Sequence, residues 1–89
     1  MTRDELATAS ELLESAAESA SGDAAGRLTE IAGQIDRLAT ADRGPDHGRL
    51  ARWQNALDEV ADDVDDATAE TIDEALEAIV AYRSTVDGV

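Results

Sequence analysis

Apolar residues recur along this chain at steps of three and four, the spacing that places side chains on one face of an α-helix. The clearest run is a seam in the second half of the chain, formed by Leu50, Trp53, Leu57, Val60 and Val64. Three other segments carry similar stripes: Leu6, Ala9, Leu12, Leu13, Ala16, Ala17 and Ala20; then Leu28, Ile31, Ile35 and Leu38; and last Ile72, Ala75, Leu76, Ile79 and Val80. Runs typical of strands are few, so the sequence predicts an all-α fold.

The strongest break in this pattern lies in the middle of the chain, at Gly44 and Pro45. Gly44 suits the left-handed position after a helix, and Pro45 cannot continue that helix. Asp46 is a good N-cap for the helix that follows.

Weaker signals mark the other helix ends. Thr2 and Glu5 fit a capping box, residues 21–23 break the first helix, and residues 62–66 offer Asp65 or Asp66 as a cap. The sequence therefore predicts one domain over residues 1–89, with helices at about residues 3–20, 23–42, 47–64 and 67–86.

Short connections favour antiparallel neighbours, so we predict an antiparallel up-down four-helix bundle. A continuous helix also permits the spacing from Val64 to Ile72. Because the breaks at residues 21–23 and 62–66 are weak, the alternative is a long two-helix hairpin that forms a dimeric bundle. Gly26 and Gly33, inside the second helix, indicate either the close approach of another helix or two solvent-side positions.

The net charge is the most informative feature of the composition. The 89 residues include 21 Asp and Glu against seven basic residues, all of them Arg, for a formal net charge of −14. This composition is typical of halophilic proteins, whose carboxylate surfaces stay hydrated where salt shortens the Debye length to about 3 Å. The chain has no Cys and no apolar leader at its start, so we expect a cytoplasmic protein without a membrane segment.

Few residues in the sequence are suited to act as catalytic groups or metal ligands. With one His, no Cys and no Glu-x-x-His pair, the sequence predicts no catalytic group, no metal site and no cofactor. The acidic run over residues 58–66 is interpreted as a solvated helix face rather than a cation site. An enzyme is therefore the least favoured class.

A cluster of basic residues surrounds the central break. Arg43, His47, Gly48, Arg49 and Arg52 form a hypothetical site for an anion or an acidic partner at the start of the third helix. The alternative is that these arginines pair with nearby carboxylates, including those of Asp42 and Asp46.

Two functional classes follow. The first is a helical interaction or regulatory module that binds another protein or a second copy of itself, with Leu50, Trp53 and Leu57 as core or interface anchors. The second is an anion or small-ligand binder that uses the basic cluster. Nucleic acid is an unlikely partner, because a net charge of −14 repels phosphate. Tyr82 and Arg83 are expected to pack across the bundle.

Residues 41–57, with the sequence ADRGPDHGRLARWQNAL, resemble a family of small haloarchaeal proteins of unknown function. The ending AYRSTVDGV, residues 81–89, is similar to the end of the same family. The resemblance implies a halophilic intracellular protein and brings no activity, cofactor or catalytic residue.

Overall fold

The computed structural model describes residues 3–86. It contains four α-helices: α1 is Asp4–Ser19, α2 is Gly22–Ala39, α3 is His47–Ala61 and α4 is Asp66–Arg83. No strand occurs within residues 3–86, and the predicted all-α fold is confirmed. The helices α2, α3 and α4 each end three residues before their predicted ends.

Neighbouring helices run antiparallel. The backbone N–H of Arg3, just before α1, donates to the carbonyl of Ala39 at the end of α2, with an N···O distance of 2.9 Å. Arg83 at the end of α4 reaches His47 at the start of α3. The starts of α1 and α3 therefore lie at the same end of the molecule as the ends of α2 and α4. The fold is an up-down-up-down four-helix bundle, and the alternative of a long two-helix hairpin is wrong.

The hairpin fails because the chain reverses at both weaker breaks. After α1, Ala20 and Ser21 adopt extended backbone angles, and Gly22 has a φ of 62°, which a residue with a Cβ adopts only at a cost. After α3, the chain turns at residues 62–64. The carboxylate of Asp65 then accepts a hydrogen bond of 2.8 Å from the Thr68 N–H, which confirms one of the two predicted caps.

The connector between α2 and α3 corrects the predicted role of Gly44. Since α2 ends at Ala39, Gly44 does not follow the helix directly, and it does not adopt the left-handed conformation. Close contact explains the glycine instead. A Cβ on Gly44 would lie 2.6 Å from both the Arg3 Nε and the Tyr82 Oη.

Arg3 holds this connector in place. Its guanidinium group donates to the carbonyls of Leu38 and Ala41, at 3.1 and 2.8 Å. Arg3 also occupies the N-cap position of α1, where the sequence predicted Thr2, and makes no side-chain capping bond there. Thr2 itself lies outside the described residues. The predicted cap of α3 is confirmed, because the Asp46 Oδ1 accepts from the Arg49 N–H at 2.8 Å.

The core is built from the predicted apolar stripes, with the exception of Val80, which is half exposed. Nine large side chains are fully buried: Leu6, Leu13, Leu28, Ile35, Leu50, Leu57, Val60, Ile72 and Ile79. The hydroxyl of Ser10, also buried, donates to the Ala32 carbonyl and links α1 to α2. A Cβ on Gly26 would meet no atom within 4 Å, and one on Gly33 would approach only the Arg37 side chain, at 3.7 Å. Both glycines therefore occupy solvent-side positions.

Packing between the helices is uneven. α1 lies close to both α2 and α4, whereas α3 contacts α4 less extensively and α2 least of all. Within residues 3–86, the diagonal pairs α1/α3 and α2/α4 bring no Cα atoms within 8 Å of each other. The loose contact between α2 and α3 leaves a cleft on that side of the bundle.

Candidate functional site

The cleft between α2 and α3 has a volume of about 410 Å³. Each helix lines it with four residues at relative positions 0, 3, 4 and 7, which is one face of a helix. These residues are Arg27, Glu30, Ile31 and Gln34 from α2, and Arg49, Arg52, Trp53 and Ala56 from α3.

A hydrogen bond closes the floor of this α2–α3 cleft. The Trp53 Nε1–H donates to the Gln34 Oε1 at 3.0 Å, which satisfies the indole donor and ties the two helices together. Trp53 is 3% exposed and Ile31 is 7% exposed. The floor is therefore nearly filled, and the indole ring has no free face on which a ligand could stack.

The walls of the cleft carry positive charge. The guanidinium groups of Arg27, Arg49 and Arg52 are exposed there, and Glu30 supplies the single carboxylate. Within residues 3–86, no side-chain hydrogen bond joins any of these three arginines to a carboxylate. These three arginines are thus exposed side chains without a carboxylate hydrogen-bond partner among the described residues.

Charge is divided unequally among the four helices. α1 has five acidic residues and no basic one, and α4 has five acidic residues and one Arg. α2 has three acidic residues and two Arg, and α3 has two of each. The α1–α4 side of the bundle is therefore strongly anionic, and the α2–α3 side is close to neutral with a basic cleft.

The structure divides the basic cluster that the sequence singled out. Arg49 and Arg52 line the cleft, whereas His47 faces α4. There the Arg83 Nε donates to the His47 Nδ1 at 3.2 Å, and the Arg83 Nη1 donates to the Gln54 Oε1 at 2.7 Å. His47 accepts at Nδ1, so this arrangement requires the neutral imidazole with its proton on Nε2.

Arg43 and Gly48 do not line the cleft. Arg43 lies exposed on the connector, and Gly48 lies exposed in the first turn of α3. The carboxylate of Asp46 approaches that turn and occupies the Arg49 N–H as a cap, so this backbone donor is already used. Of the predicted cluster, the structure brings together Arg49 and Arg52, and it adds Arg27 from another helix.

Sequence reasoning missed Arg27, Glu30 and Gln34. Their spacing on α2 matches that of Arg49, Arg52 and Ala56 on α3, a signal that was present in the sequence. That the two stripes face each other depends on how the helices pack, which spacing alone does not show.

The predicted anchors Leu50, Trp53 and Leu57 are all buried within a single copy of the chain. Trp53 therefore packs in the chain's own core. The predicted packing of Arg83 across the bundle is also seen, in its contacts with α3.

The acidic residues of the run over residues 58–66 are all exposed. Within residues 3–86, no three acidic or His side chains are grouped so that they could hold a metal ion. None of the described helices combines the length and the apolar character needed to cross a membrane.

No curated protein and no solved structure matches the chain significantly. A family model does match residues 1–85, which is nearly the whole chain. The protein therefore belongs to the family of unknown function DUF7553.

Proposed function

We propose that this protein is a small binding module, and that the α2–α3 cleft receives an anionic group of its partner or ligand. One observation carries the proposal: the lining of the cleft is positively charged, whereas the chain as a whole is strongly negative. Its walls hold three Arg and one Glu, whereas the chain as a whole has three acidic residues for each basic one. Guanidinium groups bind carboxylate and phosphate through paired hydrogen bonds, so this is the place where an anion gains most.

The lining of the cleft favours binding over catalysis. Glu30 is its one acid–base side chain, and no Ser, Thr, Cys or His stands among its lining residues. Arginine stays protonated and does not exchange protons at ordinary pH. The arginines are therefore suited to holding an anion rather than to transforming it.

The salt concentration determines how strongly acidic residues elsewhere in the molecule repel an anion from the cleft. The anionic helices α1 and α4 lie on the other side of the bundle, and at 0.15 M salt the Debye length is about 8 Å. Repulsion from those helices is then largely screened, while direct contacts inside the cleft are screened less. We propose further that the protein works in the concentrated salt of a halophilic cytoplasm, which its acidic, lysine-free composition supports.

The test is a titration of the ¹⁵N-labelled protein with inorganic phosphate, followed by NMR. We expect the signals of Arg49, Arg52 and the Trp53 indole N–H to shift. The double variant Arg49→Gln/Arg52→Gln should abolish the shifts, and the matched control Arg37→Gln/Arg43→Gln, which removes the same charge outside the cleft, should retain them. Cleft signals that neither phosphate nor a polyphosphate moves, or an equal loss in both variants, would refute the proposal.

Self-association is a second candidate, favoured by the unequal division of charge. The anionic α1–α4 side of one copy is complementary to the basic cleft of another, in a head-to-tail contact. Light scattering across a salt series tests it. We expect head-to-tail oligomers whose association weakens as salt rises and is lost in Arg49→Gln/Arg52→Gln. A monomer at every salt concentration would exclude it.

A further inference from the structure

We infer that the α2–α3 cleft takes a compact polyanion, a small molecule with at least two phosphate or carboxylate groups. The inference rests on the proposed anion-binding function and names the class of ligand. It excludes a single small anion, an aromatic ring and a docked helix as the preferred occupant.

The basic groups of the cleft are separated along its length. Arg49 and Arg52 lie one turn apart on α3, beside Trp53, whose indole contacts Gln34. Arg27 precedes Gln34 by two turns of α2, about 10 Å along the helix axis. The cleft thus offers a pair of guanidinium groups at one place and a third further along its length. One anionic group engages the pair, and a second group of the same molecule can reach Arg27.

The floor of the cleft offers a ligand little accessible apolar surface. Trp53 and Ile31 are almost completely buried, so a ligand gains little by burying apolar surface against them. A flat aromatic ligand finds no ring face, because the indole is packed within the core. Binding energy must therefore come from the guanidinium groups, and it rises with the number of anionic groups that one ligand presents.

The volume of the cleft suits a small molecule. A volume of about 410 Å³ lies within the range of sites for small molecules. A docked α-helix, with a diameter of roughly 10–12 Å including side chains, needs a longer and more apolar groove. The cleft volume therefore favours a compact ligand.

Glu30 provides an internal check. It is the single carboxylate among the lining residues, on the same face of α2 as Arg27. Because it repels any anion in the cleft, Glu30→Gln should tighten binding. A purely structural role for these residues would not produce a gain of affinity.

The experiment compares sodium phosphate with tripolyphosphate by calorimetry and NMR, at equal ionic strength and with the full chain. We expect tripolyphosphate to bind at least about tenfold more tightly than phosphate, because its additional anionic groups form further charge-assisted hydrogen bonds. Arg27→Gln should weaken the binding of tripolyphosphate more than the binding of phosphate, and Arg37→Gln, outside the cleft, should alter neither. Glu30→Gln should strengthen the binding of both anions.

The outcomes separate the inference from the proposed function. If phosphate and tripolyphosphate bind equally well in the cleft, anion binding stands and the polyanion inference is wrong. If neither anion moves the cleft signals, both are wrong. A ten-nucleotide single-stranded DNA distinguishes a free polyphosphate from a nucleic-acid backbone. Tighter binding of the DNA than of tripolyphosphate, per phosphate, would overturn the compact-ligand assignment. Circular dichroism of each variant confirms that it is folded.

Discussion

Arg83 donates from its Nε to the Nδ1 of His47 at 3.2 Å, and this contact joins the end of α4 to the start of α3. The same guanidinium donates to Gln54 one heptad further along α3. One half-buried arginine therefore spans two turns of the helix that is least tightly held by the rest of the bundle.

Replacing Arg83 by Met should loosen α3. We expect the free energy of unfolding to fall by about 1–2 kcal/mol, because two acceptors lose their donor. Urea denaturation at constant salt measures the change. Arg43→Met, on the exposed connector, is the matched control and should stay within about 0.5 kcal/mol of the parent. Equal effects of the two substitutions would show that Arg83 acts through net charge alone.

Gly44→Ala tests the close contact at the connector. The new Cβ would lie 2.6 Å from the Arg3 Nε and the Tyr82 Oη, so both side chains must move. We expect a loss of roughly 1 kcal/mol, since moving Arg3 disturbs its bonds to the Leu38 and Ala41 carbonyls.

Gly26→Ala is the control for that change. Nothing lies within 4 Å of its Cβ position, and alanine is the better helix former by about 1 kcal/mol. Thermal denaturation should therefore show a gain of stability for Gly26→Ala and a loss for Gly44→Ala. The opposite order would contradict the close contact.

Trp53→Ala should be among the most destabilising substitutions in the chain. The indole is 3% exposed, and its loss leaves a cavity and an unpaired Gln34 carbonyl oxygen. We expect a cost of about 3–5 kcal/mol in urea denaturation. Trp53→Phe fills most of the volume and should cost less. A loss below about 1 kcal/mol for the alanine variant would remove Trp53 from the core.

Asp65 should stabilise the folded state at neutral pH, and this contribution should be lost in acid. Its side-chain hydrogen bond with Thr68, together with the Thr68 backbone N–H, holds the pKa of the Asp65 carboxyl below its ordinary value. A lowered pKa in the folded state means that the contribution is complete above the ordinary aspartate pKa. It is lost as the pH falls through the lowered value, in the range below about pH 4.

NMR titration of the Asp65 side chain checks the direction of this shift. Unfolding experiments between pH 2 and 6 should show a weaker pH dependence for Asp65→Asn than for the parent. An Asp65 carboxyl that titrates at or above the ordinary value would refute the capping interaction.

Stability should rise with KCl from low to molar concentration, because salt screens the repulsion among 21 acidic side chains. The triple variant Glu11→Gln/Glu14→Gln/Glu18→Gln removes three charges from α1 and should flatten this dependence. Thermal midpoints measured across a salt series test both statements. A midpoint that falls as salt is added would contradict them.

Much of the fold could be predicted because its signals are local. The seam from Leu50 to Val60 is buried as its spacing predicts, and Asp46 and Asp65 cap the helices that follow them. Gly44 was misinterpreted because a conformational preference is local and a close contact is not. The atoms that exclude a Cβ there belong to Arg3 and Tyr82, which are distant in sequence.

The sequence indicated only part of the candidate site. Arg49 and Arg52 stood out because they lie close together along the chain, and His47 was grouped with them for the same reason. Two residues on a helix that are two positions apart point in nearly opposite directions, so His47 faces α4 while Arg49 faces α2.

The sequence by itself determined the helices, the caps of α3 and α4, most of the apolar stripes and the acidic character of the chain, because helical period, capping and net charge depend on neighbouring residues. Only the tertiary structure decided that α2 and α3 pack loosely, that Arg27 joins Arg49 and Arg52, and that Trp53 closes the floor between them. The physical reason is that a cleft is made by the relative placement of two helix faces. That placement follows from how the whole core fills space.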